Sequence, residues 1–233
     1  VIILEFSRAF KRPFSSINKL LIGILLSIIP IVRFFALGYI VDSAKKNKLK
    51  KTLEWKNWGE LFVKGLLSCV IGLLYMIPSA LIMIIGAGAT IMSLVRTYVG
   101  RIIPIGMIEQ IAAGEISPKV LEPILQNTWG QAIPSLMNMA PIAIIAGLVA
   151  ILAGYLIPMA ILNYVNKGSF GKAFSMKEVF QKSFTAKYFV AWIVTILVFV
   201  VASAIFNWIS ILGIAATFYI ANMIGFTLMG EAY

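Results

Sequence analysis

Apolar residues fill five stretches of the chain, 20–41, 61–95, 142–165, 188–207 and 209–229, with polar or basic segments between them. A run of about 20 apolar residues rising 1.5 Å each covers about 30 Å of hydrocarbon, so such runs predict membrane-crossing helices. Four stretches are read as full spans: 61–95, 142–165, 188–207 and 209–229. The first stretch, LLIGILLSIIPIVRFFALGYIV over 20–41, is long enough too, but Pro30 sits at its centre and Arg33 follows one turn later. It is either a fifth span or a re-entrant hairpin that turns at Pro30 and leaves on the side it entered. Non-helical backbone at depth must be satisfied by protein or water. The hairpin reading therefore expects Pro30–Arg33 packed inside the bundle.

The second stretch is longer than one crossing needs, about 52 Å as a straight helix. Residues 58–66 are read as an interfacial lead-in with Lys64 snorkelling to the headgroups, followed by a span kinked at Pro78. Two short spans hinged at Pro78 is the alternative. In 142–165, Ala143, Gly147, Ala150 and Gly154 recur at helical spacing. Such a strip lets a second backbone approach, so it marks a helix-packing face, expected to be filled from within the chain. Trp208 occupies a tight turn between the last two spans.

The intervening segments carry the polar chemistry. Residues 1–16 place Ile3, Phe6, Ala9 and Phe10 on one helical face, with Arg8, Lys11 and Arg12 largely on the other. That pattern predicts an interfacial amphipathic helix ended by Pro13. Residues 96–139 balance Arg96, Arg101 and Lys119 against Glu109, Glu115 and Glu122, and Ser117-Pro118 is a helix start. Residues 166–187 are an amphipathic segment with five lysines against Glu178 alone. There Ser175 and Glu178 have the spacing of a capping box. The helix it opens should lie flat on the cytoplasmic surface, lysines toward water.

Composition fixes the class. The chain is 61% hydrophobic and 12% charged, with mean hydropathy +0.96, where a soluble domain carries about 25% charged residues. The 233 residues are therefore read as a single all-α membrane domain, a polytopic helix bundle. The 20 Lys+Arg and 9 Asp+Glu give a net charge of +11. These charges sit in short loops beside apolar runs, which points to retention on the cytoplasmic side rather than to nucleic acid. With the 20–41 hairpin, every basic loop and the C-terminus fall in the cytoplasm and 96–139 falls outside. The expected location is the cell membrane, multi-pass, with no cleavable signal peptide and no tail after the last span.

Candidate chemistry is sparse. No histidine is present, and the single cysteine, Cys69, is read as a small buried residue. No metal spacing, catalytic triad or paired carboxylates occur, so neither enzyme activity nor a cofactor is expected, a lipid-modifying enzyme being the weakest alternative. Arg33 and Pro30 are the candidate intramembrane residues, because a charge at depth costs about 2.5–3.5 kcal/mol. Lys45, Lys46, Lys48, Lys50, Lys51, Lys172, Lys177 and Lys182 are the candidate contacts to anionic headgroups. The expected role is non-enzymatic: organising lipid or a partner membrane protein, or assembling with further copies. The alternative is a small transporter, channel or permease-type subunit, motivated by the proline-broken spans and Arg33.

The chain also resembles a prokaryotic membrane-domain family of uncharacterised role, domain of unknown function 4013. The resemblance is carried by Phe10-Lys11-Arg12-Pro13-Phe14, Leu21-Ile22-Gly23, Ile29-Pro30-Ile31-Val32 and Gly38-Tyr39. It continues through Glu54-Trp55, Trp58-Gly59, Phe62, Gly65-Leu66 and Pro78. Pro158, Tyr164, Gly168, Ala173-Phe174, Glu178-Val179 and Gly230-Glu231-Ala232-Tyr233 complete it. Where the family pattern has a proline before the Glu-Trp pair and acids after it, this chain has Leu53, Lys56 and Asn57. The resemblance implies a membrane architecture and assigns no catalytic residue.

Overall fold

The computed structural model describes residues 4–50, 54–94 and 139–233, with the single positions 113, 133 and 137. Lys51 and, apart from those positions and Met139, the 96–139 segment with its Ser117-Pro118 helix start lie outside the described residues. Among the described residues every regular element is helical. In order they are α1 (Phe6–Lys11), α2 (Ile17–Ile28), α3 (Arg33–Ser43), α4 (Trp58–Leu94) and α5 (Ala140–Lys167). A 3-10 turn at Phe170–Phe174 precedes α6 (Met176–Ser183), α7 (Ala186–Phe206) and α8 (Ser210–Ala232).

Among the described residues three helical stretches are long and apolar enough to cross a membrane: Trp58–Gly86, Ala140–Lys167 and Ala186–Ala232. The last is a hairpin of α7 and α8, 21 and 23 residues long. Its arms are antiparallel, since Thr217 Oγ1 donates to the Ala202 carbonyl at 3.2 Å and Lys187 Nζ to that of Glu231 at 2.6 Å. A 3-10 turn at Asn207–Ile209 joins them. Trp208 is 88% exposed there, its Nε1 donating to the Ala204 carbonyl at 2.8 Å. Helix α4 runs through Pro78, and α5 through Pro158, without a break in the helix. Residues 61–94 are thus one continuous helix, unbroken at Pro78.

The 20–41 stretch is not one helix. It folds as α2 and α3, 12 and 11 residues, about 18 and 17 Å, each too short for a crossing alone. Lys19, at the start of α2, and Tyr39 and Ser43, at the end of α3, line the same small cleft. The pair therefore doubles back at residues 29–32. Pro30 and Ile31 are exposed rather than packed inside the bundle, contrary to the expectation for a hairpin. The turn satisfies itself: Arg33 N donates to the Ile29 carbonyl at 2.8 Å and Phe35 N to that of Val32 at 3.0 Å.

The chain divides into two compact units. One comprises residues 1–75 and 153–233, the other residues 76–152. The first is built around Ile40, Met159, Leu162, Tyr188, Tyr219 and Leu228, all buried. In the second, Ser79 Oγ donates to the Ala146 carbonyl at 2.8 Å, tying α4 to α5.

Candidate functional site

The polar chemistry of the first unit gathers where α1, the end of α3, the start of α4 and the end of α8 meet. Helices α3 and α4 cross in backbone contact. A Cβ on Gly38 would stand 1.7 Å from the Leu61 carbonyl oxygen, and one on Gly65 1.9 Å from that of Phe34. Only glycine permits this approach, and it brings Asp42 against Lys64. The Lys64 Nζ lies 2.6 Å from Asp42 Oδ1 and also pairs with Glu60. Lys48 at 2.6 Å and Lys45 at 3.0 Å complete the ring around Asp42. Lys64 is buried, so it does not snorkel; its charge is met by Asp42 inside the protein. Burial works to raise the Asp42 pKa, but hydrogen bonds from Lys48, Lys64 and Lys45 outweigh it and hold it at about 2.

A second carboxylate, Glu178 on α6, accepts from Lys167 Nζ at 2.5 Å, Asn163 Nδ2 at 3.3 Å and, through its other oxygen, Lys182 at 2.8 Å. Asn163 is fully buried. Its Nδ2 donates to the Lys172 carbonyl at 2.7 Å, and its Oδ1 accepts from Tyr233 Oη at 2.8 Å. The Lys182 ammonium also stands 3.4 Å from the Tyr233 ring centroid. Hydrogen bonds from Lys167 and Lys182 hold the Glu178 carboxyl at about 2. The expected capping box does not form: Ser175 makes no side-chain cap bond, and Glu178 turns to the lysines instead. On α6, Lys182 points to this cluster while Lys177 is exposed, so the lysines do not share one outward face.

The chain termini close the arrangement. Glu231 Oε2 accepts from the Glu5 amide at 2.7 Å, and its Oε1 lies 3.5 Å from Arg8. Arg12 is the C-cap of α1, its amide still bonded to the Arg8 carbonyl. Its Nη2 donates to the carbonyls of Ser43 at 2.7 Å and Lys48 at 3.0 Å, and its Nη1 to Thr227 at 3.4 Å. The Lys46 amide donates to Asn166 Oδ1 at 3.0 Å. Direct bonds thus join the 8–12, 42–50 and 163–187 segments and the end of α8 into one polar layer.

Within that frame the predicted residues separate. Lys45, Lys48 and Lys182 are engaged with Asp42 and Glu178. Lys46, Lys50, Lys172 and Lys177 are exposed and form no ion pair among the described residues. Arg33 donates from Nε to the Ser27 carbonyl at 3.0 Å, near the end of α2, and its guanidinium lies 4.7 Å from the Phe218 centroid. Pro30 lies exposed in the turn between α2 and α3. Cys69 is partly exposed rather than buried. In the strip of small residues, a Cβ on Gly147 or Gly154 would meet nothing within 4 Å among the described residues. Reasoning from sequence missed Arg12 as an anchor and Asn163 as a hub. For Asn163 a signal existed, since a lone amide in an apolar run needs a partner.

A family model described as protein of unknown function, DUF4013, matches residues 21–212, most of the chain. The chain belongs to this family. No curated protein and no solved structure matches it. The DUF4013 match takes in the Asp42 and Glu178 clusters. It leaves out Arg12, whose guanidinium bonds the Ser43 and Lys48 carbonyls, and Tyr233, whose hydroxyl bonds Asn163. Among the described residues no group of three or more cysteine, aspartate or glutamate side chains could hold a metal ion.

Proposed function

We propose that this DUF4013 member is a non-enzymatic, multi-pass protein of the cell membrane. Its linked polar layer faces the cytoplasm and gathers anionic headgroups, organising lipid or a partner membrane protein around the bundle. The observation that carries this reading is the polar layer itself: three basic segments, far apart in sequence, are bonded together, and four exposed lysines project from two of them. Such lysines near a bilayer contribute about 1 kcal/mol each toward anionic lipid. The apolar stretches support it from the other side. In the three span-length stretches only 11%, 22% and 17% of the residues of the apolar window are buried within the protein. Surface of that extent is stable against acyl chains and not against water.

Two measurements test it. In a Cys69→Ala background, cysteines at Ser15 and Asn47, both exposed, should label from the same aqueous compartment. Labelling from opposite compartments removes the hairpin topology and the reading with it. In detergent, the thermal midpoint of the whole protein should rise more with phosphatidylglycerol than with phosphatidylcholine. That preference should shrink when Lys46, Lys50, Lys172 and Lys177 are all replaced by glutamine. A transporter or permease-type subunit is the second reading. A cation at depth facing a solute path would favour it, and Arg33 instead engages the Ser27 carbonyl. Arg33→Ala is accordingly expected to leave anion flux in proteoliposomes unchanged.

A further inference from the structure

A small cleft opens beside the polar layer, lined by Arg12, Pro13, Ser15, Lys19, Tyr39, Ser43, Tyr219 and Met223. Its ionisable lining consists of two cations and two phenols; the carboxylates whose charge bears on those cations, Glu231 toward Arg12 and Glu54 toward Lys19, are not part of the lining. Serine hydroxyls at 15 and 43 add further polar groups. Arg12 is fixed in position by the carbonyls of Ser43 and Lys48, so its charge is oriented before anything binds. Burial lowers the Arg12 pKa, the mark of a cation drawn partly out of water. Helix α2 begins at the same place with a further electrostatic imbalance. Its first turn holds no acid, Lys19 occupies it, and Ser16 provides no side-chain cap. A helix start ordinarily favours negative charge by about 0.3–1 kcal/mol, and here it meets a lysine instead.

We propose that this cleft binds a phosphate-bearing anion, with Arg12, Lys19 and the Tyr219 hydroxyl as its ligands. The enclosed part is about 10 Å³, roughly the room of one water molecule. One phosphate oxygen enters it, and the rest of the group sits at the mouth beside Lys19 and Ser15. Both an anionic lipid headgroup and inorganic phosphate offer this chemistry. In its lipid form the proposal rests on the membrane reading above.

The test uses the whole protein in detergent, titrated separately with inorganic phosphate and with short-chain phosphatidylglycerol, binding followed by calorimetry. Lys19→Gln should weaken binding about tenfold, as expected for loss of one charge-assisted contact. Tyr219→Phe, which keeps the ring packed, should weaken it about threefold. The fourfold glutamine variant at 46, 50, 172 and 177 should leave the cleft affinity unchanged. Weakening by Lys19→Gln of phosphatidylglycerol alone identifies a headgroup site, of phosphate alone a free-anion site, and of both a general phosphate site. If neither ligand is weakened by Lys19→Gln or Tyr219→Phe in variants that melt normally, the cleft is not the site. In that case loss of lipid binding in the fourfold variant would leave the surface reading standing.

Discussion

Asp42 and Glu178 are both carboxylates ringed by lysines, and both are held near the same pKa, about 2. Their surroundings differ. The Asp42 side chain is 7% exposed and its partner Lys64 11%, whereas Glu178 is 27% and Lys167 37% exposed. A buried charge that loses its partner cannot fall back on water, so breaking such a pair costs about 3–5 kcal/mol. An exposed pair is screened and resolvated, and is worth about 0–1 kcal/mol. Equal pKa values therefore do not mean equal contributions to stability. The difference traces to the glycine contact at Gly38 and Gly65, which closes α3 on α4 around one pair, while Glu178 is served by a loop-side helix.

The comparison breaks most directly at Asp42. Asp42→Ala leaves three lysines facing one another, one of them buried, and should destabilise the protein by about 3–5 kcal/mol. A thermal midpoint in detergent within a degree or two of the parent would show that the buried pair carries nothing. Gly38→Ala comes next. The added methyl meets the Leu61 carbonyl oxygen at 1.7 Å, so α3 must move off α4, at a cost of about 1–3 kcal/mol. Its Lys64 should also become open to amine-reactive reagents, a change that a merely local strain at residue 38 would not produce.

Acid should resolve the two carboxylates. The Asp42 pKa is depressed from 3.8 to about 2, so its contribution, about 2 kcal/mol, is present above the ordinary value. It is lost as pH falls from about 4 through 2. Glu178 titrates over nearly the same window, but its exposure leaves little stability to lose. Melting followed from pH 6 down to pH 2 should therefore show a drop in the parent that Glu178→Gln retains and Asp42→Asn lacks. A drop abolished by Glu178→Gln instead would invert the assignment.

How far these features could be read in advance depended on the range of the interaction. The break at Pro30 is local, set by a ring that cannot continue the helix, and it was legible. How the turn is satisfied was not, because the Arg33 bond to Ser27 runs backward over six positions. Lys64 looked like a snorkelling residue on its own helix; its partner lies 22 positions earlier, across a crossing that only Gly38 and Gly65 allow. Ser175 and Glu178 had the right spacing for a capping box. Lys167, Lys182 and Asn163 compete for the same carboxylate and win. Helix existence followed from apolar length; the polar layer followed from pairings that no window of one helix contains.

The smallest effect sharpens the contrast from the exposed side. Glu178→Gln keeps the shape of the side chain and an acceptor toward Lys167, removing only the charge. Asn163 can keep its bonds to the Lys172 carbonyl and to Tyr233, so no buried polar group is orphaned. The expected loss is below about 1 kcal/mol, diminishing further in high salt because the pair is screened. Guided by the same logic, Asp42→Asn should be nearly insensitive to salt. A Glu178→Gln loss as large as that of Asp42→Asn, and equally salt-independent, would mean that exposure is not what separates the two clusters.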